Sequence, residues 1–173
     1  FDKNFVPLIL KYLDLMYKDD EQIQYSSTFC CSNLTVTTEK DHIEILLENQ
    51  FIEKMINLFL NTRNAEILGN IVWSLTNLSI ESEELNELIF MSFGNSFKML
   101  LENASTTISY HITVCWYLET LLKTKNHYVN MEADSISLFL RSSLQNAQEY
   151  ELISALLKAI ISAYKRTDWE IYY

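Results

Sequence analysis

The chain has 173 residues, 49% of them hydrophobic, which is enough to bury one sizeable core and too apolar for a disordered segment. Its 13 Lys and Arg stand against 23 Asp and Glu, and the formal charge of -10 repels phosphate backbones and anionic lipid surfaces. Nucleic acid and membranes are therefore excluded as expected partners, and a basic peptide or basic protein face is favoured.

Apolar positions at spacings of three and four predict helices over 5–17, 21–36, 39–49, 51–61, 65–79, 82–91, 96–103, 108–123, 135–145 and 147–165. Only two Gly and one Pro punctuate the chain, and alternating strand patterns between Gly-rich turns are missing, so the fold is expected to be all-α. The short connections call for antiparallel neighbours. No apolar run reaches the length of a membrane span. Three cysteines, with Cys30 and Cys31 adjacent and Cys115 alone, are too few for a disulfide framework and fit a reducing, intracellular setting.

Aligning the long helices on their candidate N-caps exposes a repeat. Asp20, Asn64, Thr107 and Asn146 each offer a side-chain oxygen to the first free backbone amides of a helix, and Glu149 follows Asn146 as in a capping box. The intervals are 44, 43 and 39 residues. Nine positions after each cap stand Phe29, Trp73, Trp116 and Ala155; thirteen after, Asn33, Asn77, Thr120 and Ala159; seventeen after, Thr37, Glu81, Thr124 and Ala163. An apolar helix precedes each long one, and a shorter piece recurs at Asp41 to Glu48 and Glu83 to Phe90. Two or three helices repeating every 40 to 47 residues mark armadillo or HEAT stacking.

Trp73 and Asn77 stand four apart and so leave one face of one helix, with Glu81 a further turn along. An indole face packs the stem of a Lys or Arg and attracts its head, an amide pairs with an extended main chain, and a carboxylate adds charge for a bound cation. Two fates are open to such residues: aromatic side chains commonly serve a core, and an Asn that merely shapes its helix bonds to local backbone.

The run Gly69-Asn-Ile-Val-Trp73-Ser-Leu-Thr-Asn77-Leu-Ser-Ile-Glu81 resembles the third helix of an importin-α armadillo repeat, whose pattern is Ala-Val-Trp-Ala-Leu-x-Asn-Ile followed by a loop acid. Thr28-Phe29-Cys-Cys-Ser-Asn33-Leu is similar to a preceding repeat with Phe at the Trp position, and Cys115-Trp116-Tyr-Leu-Glu-Thr120 to a following one that has lost its Asn. The resemblance implies a right-handed α-solenoid of about four armadillo-type repeats, approximately 1–37, 38–81, 82–124 and 125–173, in a single domain. It implies a concave groove for a Lys- and Arg-rich extended peptide, a nuclear localisation signal. Asn33 and Asn77 would clamp its main chain, Phe29, Trp73 and Trp116 would be shelves between which basic side chains lie, and Glu81 would pair with a lysine. Thr120 would stand where the next clamp is lost. The implied role is nuclear protein import, in cytoplasm and nucleus, with importin-β bound only through a segment outside these residues. With helices 8–10 Å apart and about 3.3 Å per extended residue, neighbouring rungs read ligand positions two or three residues apart.

The alanines at 155, 159 and 163 imply that groove chemistry fades toward the C-terminus. A second role follows from the small repeat count, the Thr120 substitution and apolar ends: Phe5, Leu8 and Leu10 at one, Trp169, Ile171, Tyr172 and Tyr173 at the other. Solenoid ends need polar caps, so this chain, which starts at Phe1 without a leader pattern, is expected to be a piece of a longer solenoid or a scaffold subunit covered by a partner.

Catalytic and metal chemistry find no footing. His111 and Cys115 have metal-ligand spacing but no third ligand nearby, and are expected to be a buried structural pair. His42 and His127 are isolated, and Gly69 and Gly94 are too far apart for a phosphate loop. No enzyme activity and no cofactor are expected. The sequons at Asn33, Asn77 and Asn103 read as chance matches, and Glu83, Glu84 and Glu87 as a solvated face.

Overall fold

The computed structural model describes residues 5–13, 20–36, 40–124 and 127–166. Among them every regular element is helical: α1 (Phe5–Lys11), α2 (Glu21–Leu34), α3 (Lys40–Glu48), α4 (Phe51–Asn61), α5 (Ala65–Glu81), α6 (Glu83–Phe93), α7 (Phe97–Asn103), α8 (Ile108–Lys123), α9 (Ala133–Asn146) and α10 (Tyr150–Tyr164). Short 3-10 turns at Gly94–Ser96, Ala104–Thr106 and His127–Glu132 join some of them. Residues 14–17 of the first predicted helix, Thr37, and the aromatic tail at Trp169 to Tyr173 lie outside the described residues.

The long helices form where sequence places their caps. Asp20 Oδ1 accepts from Ile23 N at 3.0 Å, Asn64 Oδ1 from Glu66 N at 3.0 Å and Ile67 N at 3.3 Å, and Thr107 Oγ1 from Tyr110 N at 3.2 Å. Each bond satisfies an amide that the helix itself leaves open. Gly94 closes α6 at φ +47°, a backbone region that side-chain-bearing residues rarely adopt.

The fourth cap is a correction. Asn146 belongs to the last turn of α9, where its Nδ2 donates to Ser142 O at 2.7 Å, and α10 starts at Tyr150 with Glu149 at its N-cap position. Glu149 lies 42 residues after Thr107, so the fourth register moves by three. Its rung residues are therefore Lys158, which is exposed, and Ser162 and Arg166, which are buried, as are all three alanines, with Ala155 turned toward α8. The fading inferred from Ala155, Ala159 and Ala163 is replaced by a change of chemistry.

Helices α2, α5, α8 and α10 pack side by side in that order, with α4, α6, α7 and α9 behind them. Matched hydrogen bonds fix the register: Asn64 Nδ2 donates to Glu21 Oε2 at 3.2 Å, Asn70 Nδ2 to Thr28 Oγ1 at 3.3 Å, and Asn77 Nδ2 to Thr35 Oγ1 at 3.3 Å. These bonds join early to early and late to late positions, so α2 and α5 run parallel. At the other end Arg166 Nη1 donates to Thr124 O at 2.9 Å, again 42 residues away. Behind the ladder an aromatic chain forms the core, with Phe59 and Phe93 rings edge to face at 5.3 Å and Phe93 and Tyr117 at 5.8 Å.

Candidate peptide-binding face

Positions nine, thirteen and seventeen after a cap recur on the same helix face because four residues advance a helix by slightly more than one turn. Parallel stacking of α2, α5, α8 and α10 then lines the described ones among these positions along one side of the ladder, open at Phe29, Asn33, Trp116 and Lys158 and closed over Ser162 and Arg166. Phe29 is 51% exposed and Trp116 37% exposed, while Trp73 between them is half-buried. The aromatics are neither core residues nor freely solvated.

The two indoles are packed on each other. The Trp73 and Trp116 rings have centroids 5.2 Å apart and planes inclined at 58°. A side chain lying between two rings needs van der Waals contact of about 3.5–4 Å on each side, so this gap is closed to a basic stem. Together the indoles form one broad apolar ledge across α5 and α8. Phe29 stacks on Tyr25 of its own helix at 6.2 Å.

The two asparagines differ. Asn33 Nδ2 donates to Phe29 O at 2.9 Å, the local backbone bond expected of a residue that shapes its helix, and its side chain is exposed. Asn77 is half-buried and reaches Thr35 of the preceding repeat, so its amide ties two rungs together. Glu81 ends α5, half-buried. A neighbouring hollow of about 410 Å³ brings Glu83 near Thr120, Lys123 and Thr124 and does not include Glu81. Lys123 Nζ pairs with Glu119 of the same helix at 2.6 Å, so an internal cation already occupies that acid.

A larger cavity of about 540 Å³ opens between α8 and α10. Trp116, Ile108, Ile112 and Ala155 give it apolar walls, and Ser109, Ser154, Tyr150, Glu151 and Lys158 give it polar edges. Sequence reasoning missed Tyr150, Glu151 and Lys158 because the misplaced fourth cap put alanines on this rung. The usable signal was the 42-residue step from Thr107, closer to the earlier intervals than 39.

Of His111 and Cys115, expected to be a buried structural pair, only Cys115 is fully buried, and His111 is half-buried with partners on α9. Cys115 is fully buried and desolvation raises its thiol to about 12, so it stays protonated, while His111 Nε2 lies 2.9 Å from Ser143 Oγ and its ring packs on Phe139.

No family model matches the chain, and no curated protein sequence matches it. Among solved structures it is similar to a designed armadillo repeat protein in complex with the peptide (KR)4, with a TM-score of 0.74 and 17% identity, covering 91% of this chain and 63% of that one. It is also similar to an engineered protein known from a crystal structure, with a TM-score of 0.76 and 13% identity, covering 90% of this chain and 63% of that one. The chain thus spans less than two thirds of either relative, and at these identities the likeness is one of fold. No helix among the described residues is long and apolar enough to cross a membrane. The chain folds as an all-α, right-handed α-solenoid of about four armadillo-type repeats.

Proposed function

We propose that this chain is an adaptor whose open face, built from α2, α5, α8 and α10, binds an extended Lys- and Arg-rich peptide, with recognition of nuclear localisation signals in protein import as its role. The observation that carries this reading is the partly exposed indole ledge of Trp73 and Trp116 on an acidic protein, with Asn77 on the same helix face as Trp73. Such a ledge supports basic stems lying across it, and the -10 charge draws basic ligands in. The (KR)4 peptide belongs to the designed relative, and it supports the ligand class here by analogy of fold only.

The test is binding of a labelled Lys-rich peptide to wild type, to Trp116→Ala and to Trp73→Ala with Asn77→Ala, with helicity followed by circular dichroism. A loss of about tenfold or more in folded variants is expected if the ledge carries a few contacts of about 1 kcal/mol each. Equal affinity for all three proteins would overturn the reading.

A scaffold role in a larger assembly is the second reading, favoured by one observation. Leu157, Ile161 and Tyr164 of α10 are 44%, 51% and 69% exposed. The matching positions of α5 (Val72, Thr76 and Ser79) are buried. In α5 this face meets the next helix of the ladder; in α10 no described helix packs on it.

A further inference from the structure

The cavity between α8 and α10 carries opposite charges at its two ends. Glu151 and Lys158 both line it, both are exposed, and neither is in an ion pair with another described residue. Seven residues apart on one helix, they share a face and stand about 10 Å apart along the axis at 1.5 Å per residue. Trp116 and Ser109 line it from α8, and Ser154 stands between the two charged residues along α10.

An extended strand sends successive side chains to opposite sides. Laid across α10, over the Trp116 edge, it directs one side chain toward Glu151 and the next toward Lys158. A uniformly basic ligand satisfies the first and is repelled by the second. We infer that the α8–α10 rung selects a peptide in which a basic residue is adjacent to an acidic one, the base meeting Glu151 and the acid meeting Lys158.

The inference deepens the peptide-binding reading and rests on it. It also gives Lys158 a use. At the position held by Phe29, Trp73 and Trp116 on the other rungs, a lysine offers no aromatic shelf for a basic stem, but it offers a donor to a carboxylate. Arg166, seventeen positions after the cap where α5 has Glu81, is 8% exposed and donates to Thr124 O and Asn130 Oδ1. The α10 rung thus offers a ligand no acid where α5 has Glu81, so this end of the face does not repeat the preference of the other.

The experiment is a Glu scan of an alternating Lys-Arg octapeptide, each single-Glu peptide being measured against wild type, Lys158→Glu and Glu151→Lys with Lys158→Glu. All substitutions lie on exposed positions of α10, and circular dichroism checks that the variants remain helical. On a protein of charge -10, exchanging Lys for Glu should weaken binding at most positions. At one position the wild type is expected to hold or gain affinity, by about threefold for one exposed ion pair. Lys158→Glu should abolish that exception, and the double exchange should move it to a neighbouring position. If the octapeptide binds and every Glu weakens it alike in all three proteins, the rung assignment falls while the peptide-binding reading stands. If no peptide of the series binds wild type, both fall.

Discussion

At Asn77 the amide Nδ2 is held by Thr35 of the neighbouring repeat, and on the proposed peptide-binding reading this bond would also pre-orient its Oδ1 as an acceptor for a ligand. Asn77→Ala is therefore expected to lower folding stability as well as binding, by about 1 kcal/mol for one neutral hydrogen bond. In a Thr35→Val background most of that loss should vanish, giving a coupling of about 0.5–1 kcal/mol in a denaturant-based double-mutant cycle. His111 makes a pH prediction. Burial holds its pKa below the ordinary value, so the unfolded chain takes up the proton first and stability falls as pH drops below about 6.5. Unfolding midpoints at pH 7.5 and pH 5 should therefore move apart less in His111→Gln than in wild type. Glu84, lowered by its backbone and Ser82 hydrogen bonds, loses stability in the same acid direction and is common to both proteins.

At the level of helices, position in the register decides what a residue does. Val72 of α5 and Leu157 of α10 both stand eight places after their N-cap positions, yet Val72 is fully buried and Leu157 is 44% exposed. Val72→Asn should cost about 3 kcal/mol or more, since it buries an amide among apolar neighbours, while Leu157→Asn should stay within about 0.5 kcal/mol. Thermal or denaturant unfolding of the pair checks this.

The same register explains what was legible in the sequence. Asp20, Asn64 and Thr107 announced three of the long helices because a cap oxygen and an apolar stripe are local signals, and the helix types followed from periodicity alone. Asn146 misled because Asn-x-x-Glu imitates a capping box, and only the Ser142 carbonyl, a contact within α9, shows which helix owns it. The groove was less legible than the fold. That Trp73 and Trp116 touch, or that Asn33 turns back to Phe29 while Asn77 crosses to Thr35, depends on rotamers and inter-helix distances that spacing does not encode.

For the molecule as a whole, charge predicts how binding responds to solvent. With -10 spread over 173 residues, attraction to a basic peptide acts at long range, and raising ionic strength from about 0.01 M to 0.15 M shortens its reach from roughly 30 Å to 8 Å. Peptide affinity, measured by fluorescence anisotropy, should fall steadily across that range, mainly through slower association, while contact with the indole ledge is salt-indifferent. A flat salt response would mean that apolar contact alone holds the peptide.

The ladder is joined by different fastenings along its length. Amide and hydroxyl groups tie α2 to α5, two indoles meet between α5 and α8, and a guanidinium anchors α10 to the end of α8. Hydrogen bonds lose strength quickly when bent, whereas apolar rings can tilt and slide at little cost. Bending of the superhelix is therefore expected to gather at the joint between α5 and α8, and on the proposed peptide-binding reading the curvature of the face would then adjust at the tryptophan ledge.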